Sequence, residues 1–503
     1  MYLEKVLTPL MSPGRMPHGV GKGPLALTLA VGALAASAFL PGTHSAHAQT
    51  LTDALAITYE GNPTLLAARA QLRATDENVA QAVSNWRPSL VGNGIVQYNH
   101  VQNDFSPSLG AGFGSLTSST DDRTSKGGGV TLQQNVYRGG QTQAATRQAK
   151  SEVAAGRSQL TGVEQQVLFD AVTAYMDVLR DTATLELNRN NAVVLERQLQ
   201  ATRDRFEVGE ITRTDVAQAI ARLSRAQSDV IGAEAELTNS RAAYERVVGT
   251  PPGTLEVPPE FPPLPATEEE ALTIALANNP SLEAARFSEE ATRHAVREAK
   301  GALLPTVTVE GEYNYIDNPS PSFTSTERAT VTGQLIVPLY QSGAVFSQVR
   351  QAKQLNSQSR VQIREAMREV TEGVAASWEG FRASNAQVVS DREQVRANEV
   401  AREGVFQEAQ VGSRTTLDVL DADQELLDSQ VALVTSRRNA YVAAYALLGA
   451  IGNLTAEFLE LPVEQYNPEQ NYDSVSDKWF GFGISDEPDT VAPESGTDAA
   501  GQL

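Results

Sequence analysis

The sequence contains the same unit twice. Residues 53–98 align without gaps to residues 270–315 at an offset of 217, and sixteen of the 46 pairs are identical. The identities include Asn62/Asn279, Pro63/Pro280, Leu65/Leu282, Arg69/Arg286, Pro88/Pro305, Gly94/Gly311 and Tyr98/Tyr315. A second stretch aligns at an offset of 203, pairing Tyr137 with Tyr340, Gly140 with Gly343, and Arg147-Gln148-Ala149-Lys150 with Arg350-Gln351-Ala352-Lys353. It continues through Val208-Gly209 and Val411-Gly412, Thr212 and Thr415, and Asp215-Val216 and Asp418-Val419. Fixed-offset self-similarity means one supersecondary unit used more than once. The first repeat is assigned to 49–250 and the second to 268–462, joined by a proline-rich, extended linker over 251–267. The offset changes between residues 98 and 136, so the first repeat carries the longer loop there.

Each repeat has the same order: helix, two strands, then a very long helical region. Asn62-Pro63 and Asn279-Pro280 match an N-cap followed by proline at the first helical position. Near Pro88 and Pro305 the pattern switches to period two. Val307, Val309, Gly311, Tyr313 and Tyr315 alternate with Thr308, Glu310, Glu312 and Asn314. Ala329, Val331, Gly333, Leu335, Val337 and Leu339 alternate with mostly polar residues, Ile336 excepted. The first-repeat strands, about 89–101 and 128–138, alternate less cleanly. All four approach the ~9–11 residues that cross a bilayer as a tilted strand. Polar, Gly/Ser-rich stretches at 102–127 and 317–326 read as their loops. No proline occurs from 139 to 250 or from 339 to 461. A helix from about 140 to 208 would run ~100 Å at 1.5 Å per residue. Rods of that length have no core of their own and must pack on one another as a coiled-coil-like wall.

Composition removes several function classes. The net charge of -21 leaves no basic face for nucleic acid. With no cysteine, disulfides, thiolate chemistry and Cys-based metal sites are out. Beyond residue 48 only His100 and His294 remain, too few for a histidine-rich metal site, so no metal, cofactor or catalytic group is assigned. Residues 1–48 read as a signal peptide. Lys22 supplies the charge, Pro24 to Leu40 the short apolar run and Ala46-His47-Ala48 the cleavage site; Met16 would serve equally well as its start. Residues 463–503 read as an acidic tail without fixed structure.

Four amphipathic strands cannot close a barrel, since closure needs about eight. An open edge in lipid leaves unpaired backbone groups costing several kcal/mol each. Identical neighbours must complete the ring, two copies supplying eight strands and three supplying twelve.

The duplicated helix–strand–strand–long-helix unit resembles the TolC family of outer-membrane efflux and secretion proteins. The most specific motif runs from Val411 to Ala422, with its counterpart from Phe206 to Val216. The resemblance implies a mixed α and β membrane protein. Four strands per chain would complete a twelve-stranded trimeric β-barrel, continued by a periplasmic α-helical barrel with a gated tip. It implies a homotrimer in outer-membrane lipid, a periplasmic adaptor (membrane fusion) protein, and an inner-membrane ABC or RND transporter. By this resemblance Asp418 and Asp421 match an acidic constriction, while Thr214, Asp215 and Arg414 match polar links that hold the tip shut. The family's aromatic gate partner falls on Ala409. Val208, Gly209, Thr212, Val411, Gly412 and Thr415 form the hairpin tips, the expected adaptor docking points. On local chemistry alone, Asp215 and Asp418 are equally well read as capping-box residues three positions after Thr212 and Thr415. Two other readings are a periplasmic coiled-coil adaptor or scaffold, which would lack four bilayer-length strands, and a secreted hydrolase, for which no nucleophile motif stands out.

Overall fold

The computed structural model describes residues 49–103, 119–258 and 261–484. The expected signal peptide, the middle of the first strand loop and the end of the tail lie outside the described residues. The first repeat comprises α1 (Leu51–Gly61), α2 (Pro63–Ser84), β1 (Ser89–Asn103), β2 (Ser119–Arg138), α3 (Gln141–Glu207) and α4 (Arg213–Val248). The second comprises α5 (Glu268–Asn278), α6 (Pro280–Gly301), β3 (Thr306–Ser320), β4 (Phe323–Ile336), α7 (Ala344–Gln410) and α8 (Thr416–Ala450); a short α9 (Gln470–Val475) follows. The boundaries of α1, α2 and β1 reappear in α5, α6 and β3 at the offset of 217, and α3 reappears in α7 at 203.

The duplication extends to individual hydrogen bonds. Asn62 caps α2 by accepting from the Thr64 and Leu65 amides, and its Nδ2 donates to the Val247 carbonyl at 2.8 Å. Asn279 does the same for α6, donating to the Ala450 carbonyl at 3.1 Å. Arg69 donates to the carbonyl of Tyr59 and Arg286 to that of Leu276, each at 3.2 Å. Capped helices with proline at the first position start where the sequence says they should. α3 and α7 are 67-residue rods, about 100 Å long. The main core lies partway along them, where α1 and α5 brace the rods. Leu168, Ala171, Val172 and Tyr175 meet Tyr244, Val248, Leu447, Leu448 and Leu454 there. The Tyr175 hydroxyl donates toward the carbonyls of Gln49 and Glu256, tying the N-terminal segment and the linker to the rod.

The strands form one antiparallel sheet in the order β1-β2-β3-β4. Leu132 lies opposite Leu90, and Leu335 opposite Val307, so the two hairpins share one register. Leu90, Val96, Tyr98, Val130, Leu132, Val309, Tyr313, Tyr315, Val331 and Leu335 fall on one face by this pairing. Glu310, Glu312, Thr131, Gln133, Thr330 and Thr332 fall on the other. A β-bulge at Val136 interrupts the β2–β3 ladder.

Two expectations need correction. The loops placed at 102–127 and 317–326 contain strand. In the first, β1 runs to Asn103 and β2 begins at Ser119 on either side of the undescribed residues; in the second, β3 and β4 meet at a turn between Ser320 and Phe323. Outside a bilayer a strand needs ladder bonds but no apolar alternation, so the polarity of these residues hid it. The tail is also not free from residue 463. Residues 463–484 are held: Asn471 donates to Asp76 on α2 at 2.8 Å, and Arg157 pairs with Glu469 at 2.9 Å.

Candidate functional site

Far from the sheet, each repeat turns back on itself. α3 ends with Gly209 at φ 82° and α7 with Gly412 at φ 81°. The amides of Gly209 and Glu210 bond back to the Phe206 and Arg205 carbonyls, and those of Gly412 and Ser413 to Ala409 and Glu408. Both are Schellman endings, which use the left-handed conformation that glycine adopts without penalty. Thr212 and Thr415 then cap α4 and α8 through reciprocal capping boxes. Asp215 accepts from the Thr212 amide at 2.9 Å and hydroxyl at 2.8 Å. Asp418 accepts from the Thr415 amide and hydroxyl, both at 2.8 Å. Both aspartates thus perform the capping role that local chemistry suggested. The Thr415 bonds, backbone first, hold the Asp418 carboxyl below the usual range, so it is charged at neutral pH.

The two tips face each other across a cleft of about 750 Å³, and Asp215 and Arg414 both line it. They are not paired in this chain. Arg414 instead bonds Glu408 of its own hairpin at 2.8 Å, which raises its pKa. Thr214 is exposed, as are Val208 and Val411 at the outermost turns. Asp421 lies one turn beyond Asp418 and bonds Arg222 of α4 at 2.5 Å, a tie between the two hairpins. Leu195, Ala226 and Leu420 pack into a small core above it.

Sequence reasoning missed Arg222, Glu408 and Phe406. Phe406 lines the cleft together with Ala409, one helical turn away on the same face. An aromatic therefore sits in the cleft despite the alanine at 409, and the i, i+3 spacing was the available signal. Arg222 could not be found that way, because its partner is 199 residues distant. Among the described residues no cluster of His, Asp and Glu could hold a metal ion, and no helix is long and apolar enough to cross a membrane.

The chain matches the outer membrane efflux protein family over residues 55–250 and 271–453, both repeats. It is 35% identical over 458 residues to outer membrane efflux protein BepC of Brucella suis, covering 90% of this chain and 97% of that protein. It is 29% identical over 444 residues to outer membrane protein TolC of Vibrio cholerae, covering 86% and 96%. Its fold is similar to that of the Campylobacter jejuni CmeC outer membrane channel, with a TM-score of 0.72 at 15% identity, covering 85% of this chain and 89% of that one. A duplicated sheet-and-rod chain that matches in both of its halves belongs to the outer membrane efflux protein family.

Proposed function

We propose that three copies of this outer-membrane channel protein close into a twelve-stranded barrel continued by a helical tunnel. The assembly is a passive, gated duct for efflux of small molecules or type I secretion of proteins. The observation that carries this reading is the four-stranded sheet with free edges at β1 and β4 and an apolar face of exposed side chains. Lipid does not tolerate such edges, so neighbouring copies must seal them. Three copies leave a water-filled lumen lined by the polar face with Glu310 and Glu312. A duct of this kind needs no cofactor and no bond chemistry of its own.

The hairpin tips are the gate and the docking end. Val208, Gly209, Thr212, Val411, Gly412 and Thr415 are offered to a periplasmic adaptor, which connects the duct to an inner-membrane ABC or RND transporter. Asp418 and Asp421 narrow the tip electrostatically, since carboxylates gathered around one axis attract cations. Thr214, Asp215 and Arg414 link neighbouring hairpins across copies. Exposed links of this kind contribute only about 0.2–1 kcal/mol each, so adaptor binding can release them.

The test is single-channel recording in a planar bilayer. The wild type should give small, stable openings, and Arg414→Ser or Asp215→Ala should raise the conductance. Unchanged conductance in both variants would remove these residues from the gate, and absence of any channel from correctly folded protein would remove the duct.

A further inference from the structure

The acidic tail contains an apolar segment that none of these roles explains. From Lys478 to Ile484 the chain carries Trp479, Phe480, Phe482 and Ile484, which are 58%, 87%, 106% and 81% exposed. Its position is fixed. Arg87 donates to the Lys478 carbonyl at 2.6 Å and lies over the Trp479 ring at 4.7 Å. Arg87 stands two residues before β1 begins. This junction is braced against the end of β2. Gln134 donates to the Trp86 carbonyl at 3.0 Å, and Arg138 to Asn85 at 2.6 Å. The segment is therefore held at the level where the sheet leaves the helices. Lys478 Nζ reaches the Gly483 carbonyl at 2.5 Å and closes the segment into a small loop with its aromatic rings outward.

We propose that residues 478–484 are a membrane anchor whose aromatic rings insert at the headgroup–acyl boundary of the leaflet on the helical side of the barrel. The proposal rests on the reading of the sheet as membrane-spanning. Tryptophan and phenylalanine clustered on a loop suit an interface, where the rings leave water and the indole N–H stays wet. Through Arg87 the loop is tied two residues before β1, at the end of the sheet where exposed apolar side chains begin. Leu90, the second residue of β1, is 69% exposed, and Leu335 near the end of β4 is 63% exposed. Trp86 and Tyr137, both about half exposed, flank the same level and extend an aromatic girdle. Fixing the loop through Arg87 sets the depth of the barrel against the bilayer. The chain has no cysteine to carry a lipid, so the loop supplies by burial what an acyl chain would supply covalently.

Fluorescence quenching in vesicles tests this. The chain has three tryptophans, Trp86, Trp378 and Trp479. Trp86→Phe/Trp378→Phe leaves Trp479 as sole reporter, and the protein is reconstituted in phosphatidylcholine with or without bromine on the acyl chains. The expected result is loss of Trp479 emission in brominated vesicles, greatest for bromine near the headgroup and least near the chain end. Emission that stays red and unquenched means the loop lies in water and overturns the anchor. Blue-shifted but unquenched emission means a neighbouring copy covers the loop, and also overturns it. A protein with no other tryptophan, carrying Val331→Trp on the lipid face, separates the two readings. If Val331→Trp is quenched and Trp479 is not, only the anchor fails; if neither is quenched, the membrane-spanning sheet fails as well. Should the Trp86→Phe/Trp378→Phe background insert poorly, the wild type and Trp479→Phe are compared directly, and an emission difference between them that is the same in brominated and unbrominated lipid overturns the anchor.

Discussion

Two residues show how local chemistry sets the stability of the whole assembly. Gly412 sits at φ 81° with open space where a Cβ would go, so Gly412→Ala costs only the left-handed backbone, about 1–2 kcal/mol. Gly452 has φ 86°, and a Cβ there would lie 2.6 Å from the Asn278 carbonyl oxygen, so Gly452→Ala adds a backbone clash. Thermal unfolding by circular dichroism should rank the variants wild type, Gly412→Ala, Gly452→Ala in falling stability, and the reverse order of the two variants would refute the assignment. Glu164 is the converse case. Its Oε1 accepts from the Ala456 amide at 2.8 Å, yet burial raises its carboxyl above the ordinary range. A carboxyl whose folded pKa is raised makes the protein less stable as pH rises through that value, because the folded state then holds a desolvated charge. Glu164→Gln keeps the acceptor and removes the charge. Its melting temperature should exceed that of the wild type at about pH 8, and the advantage should shrink toward about pH 5. A difference independent of pH would mean that burial does not dominate at this site.

Arg222 and Asp421 belong to the scale of the elements, since they join the first helical hairpin to the second. Arg222 pairs with Asp421, one of the carboxylates of the proposed constriction, so such a ring would carry less free charge than its aspartates suggest. Arg222→Ala should therefore make the channel more sensitive to block by hexammine cobalt, and adding Asp421→Ala should cancel the gain. Block that is indifferent to Arg222→Ala would place the bond outside the conduction path. The pair also marks what the sequence could not disclose. Helix starts were legible because Asn62, Asn279, Thr212 and Thr415 act on amides two or three residues away. The repeat identities Arg69 and Arg286 were visible as letters, but their bonds to Tyr59 and Leu276 needed the helices to be folded back first. The start of β2, the end of β3 and the start of β4 were hidden because their polar residues lie past the level where lipid enforces alternation. The tail was read as solvated from its charge, while Arg87, Arg157 and Asn471 hold its first half against α2, α3 and the base of the sheet.

At the scale of the whole molecule, the duplication predicts a contact between chains. β1 corresponds to β3 at an offset of 217, and the end of β2 to the end of β4 at 203, and both hairpins keep this correspondence in their registers. The junction of β2 with β3 inside one chain is then the template for the junction of β4 with β1 of the next chain. Within the chain Leu132 faces Gly311. Translated by the two offsets, Leu335 must face Gly94 of the neighbouring copy. Directly opposed residues in an antiparallel ladder have Cα atoms about 4.5–5.5 Å apart, within the span of a disulfide. The natural chain contains no cysteine, so nothing competes with an engineered pair. Gly94→Cys/Leu335→Cys should give a covalent trimer on non-reducing gels under mild oxidation, and each single variant should give none. A ladder of dimers without trimer would mean the ring is not closed by threefold repetition. If crosslinking required moving either cysteine by one position, the barrel would be closing in a register that puts its apolar side chains on the lumen, which an edge sealed in lipid cannot do.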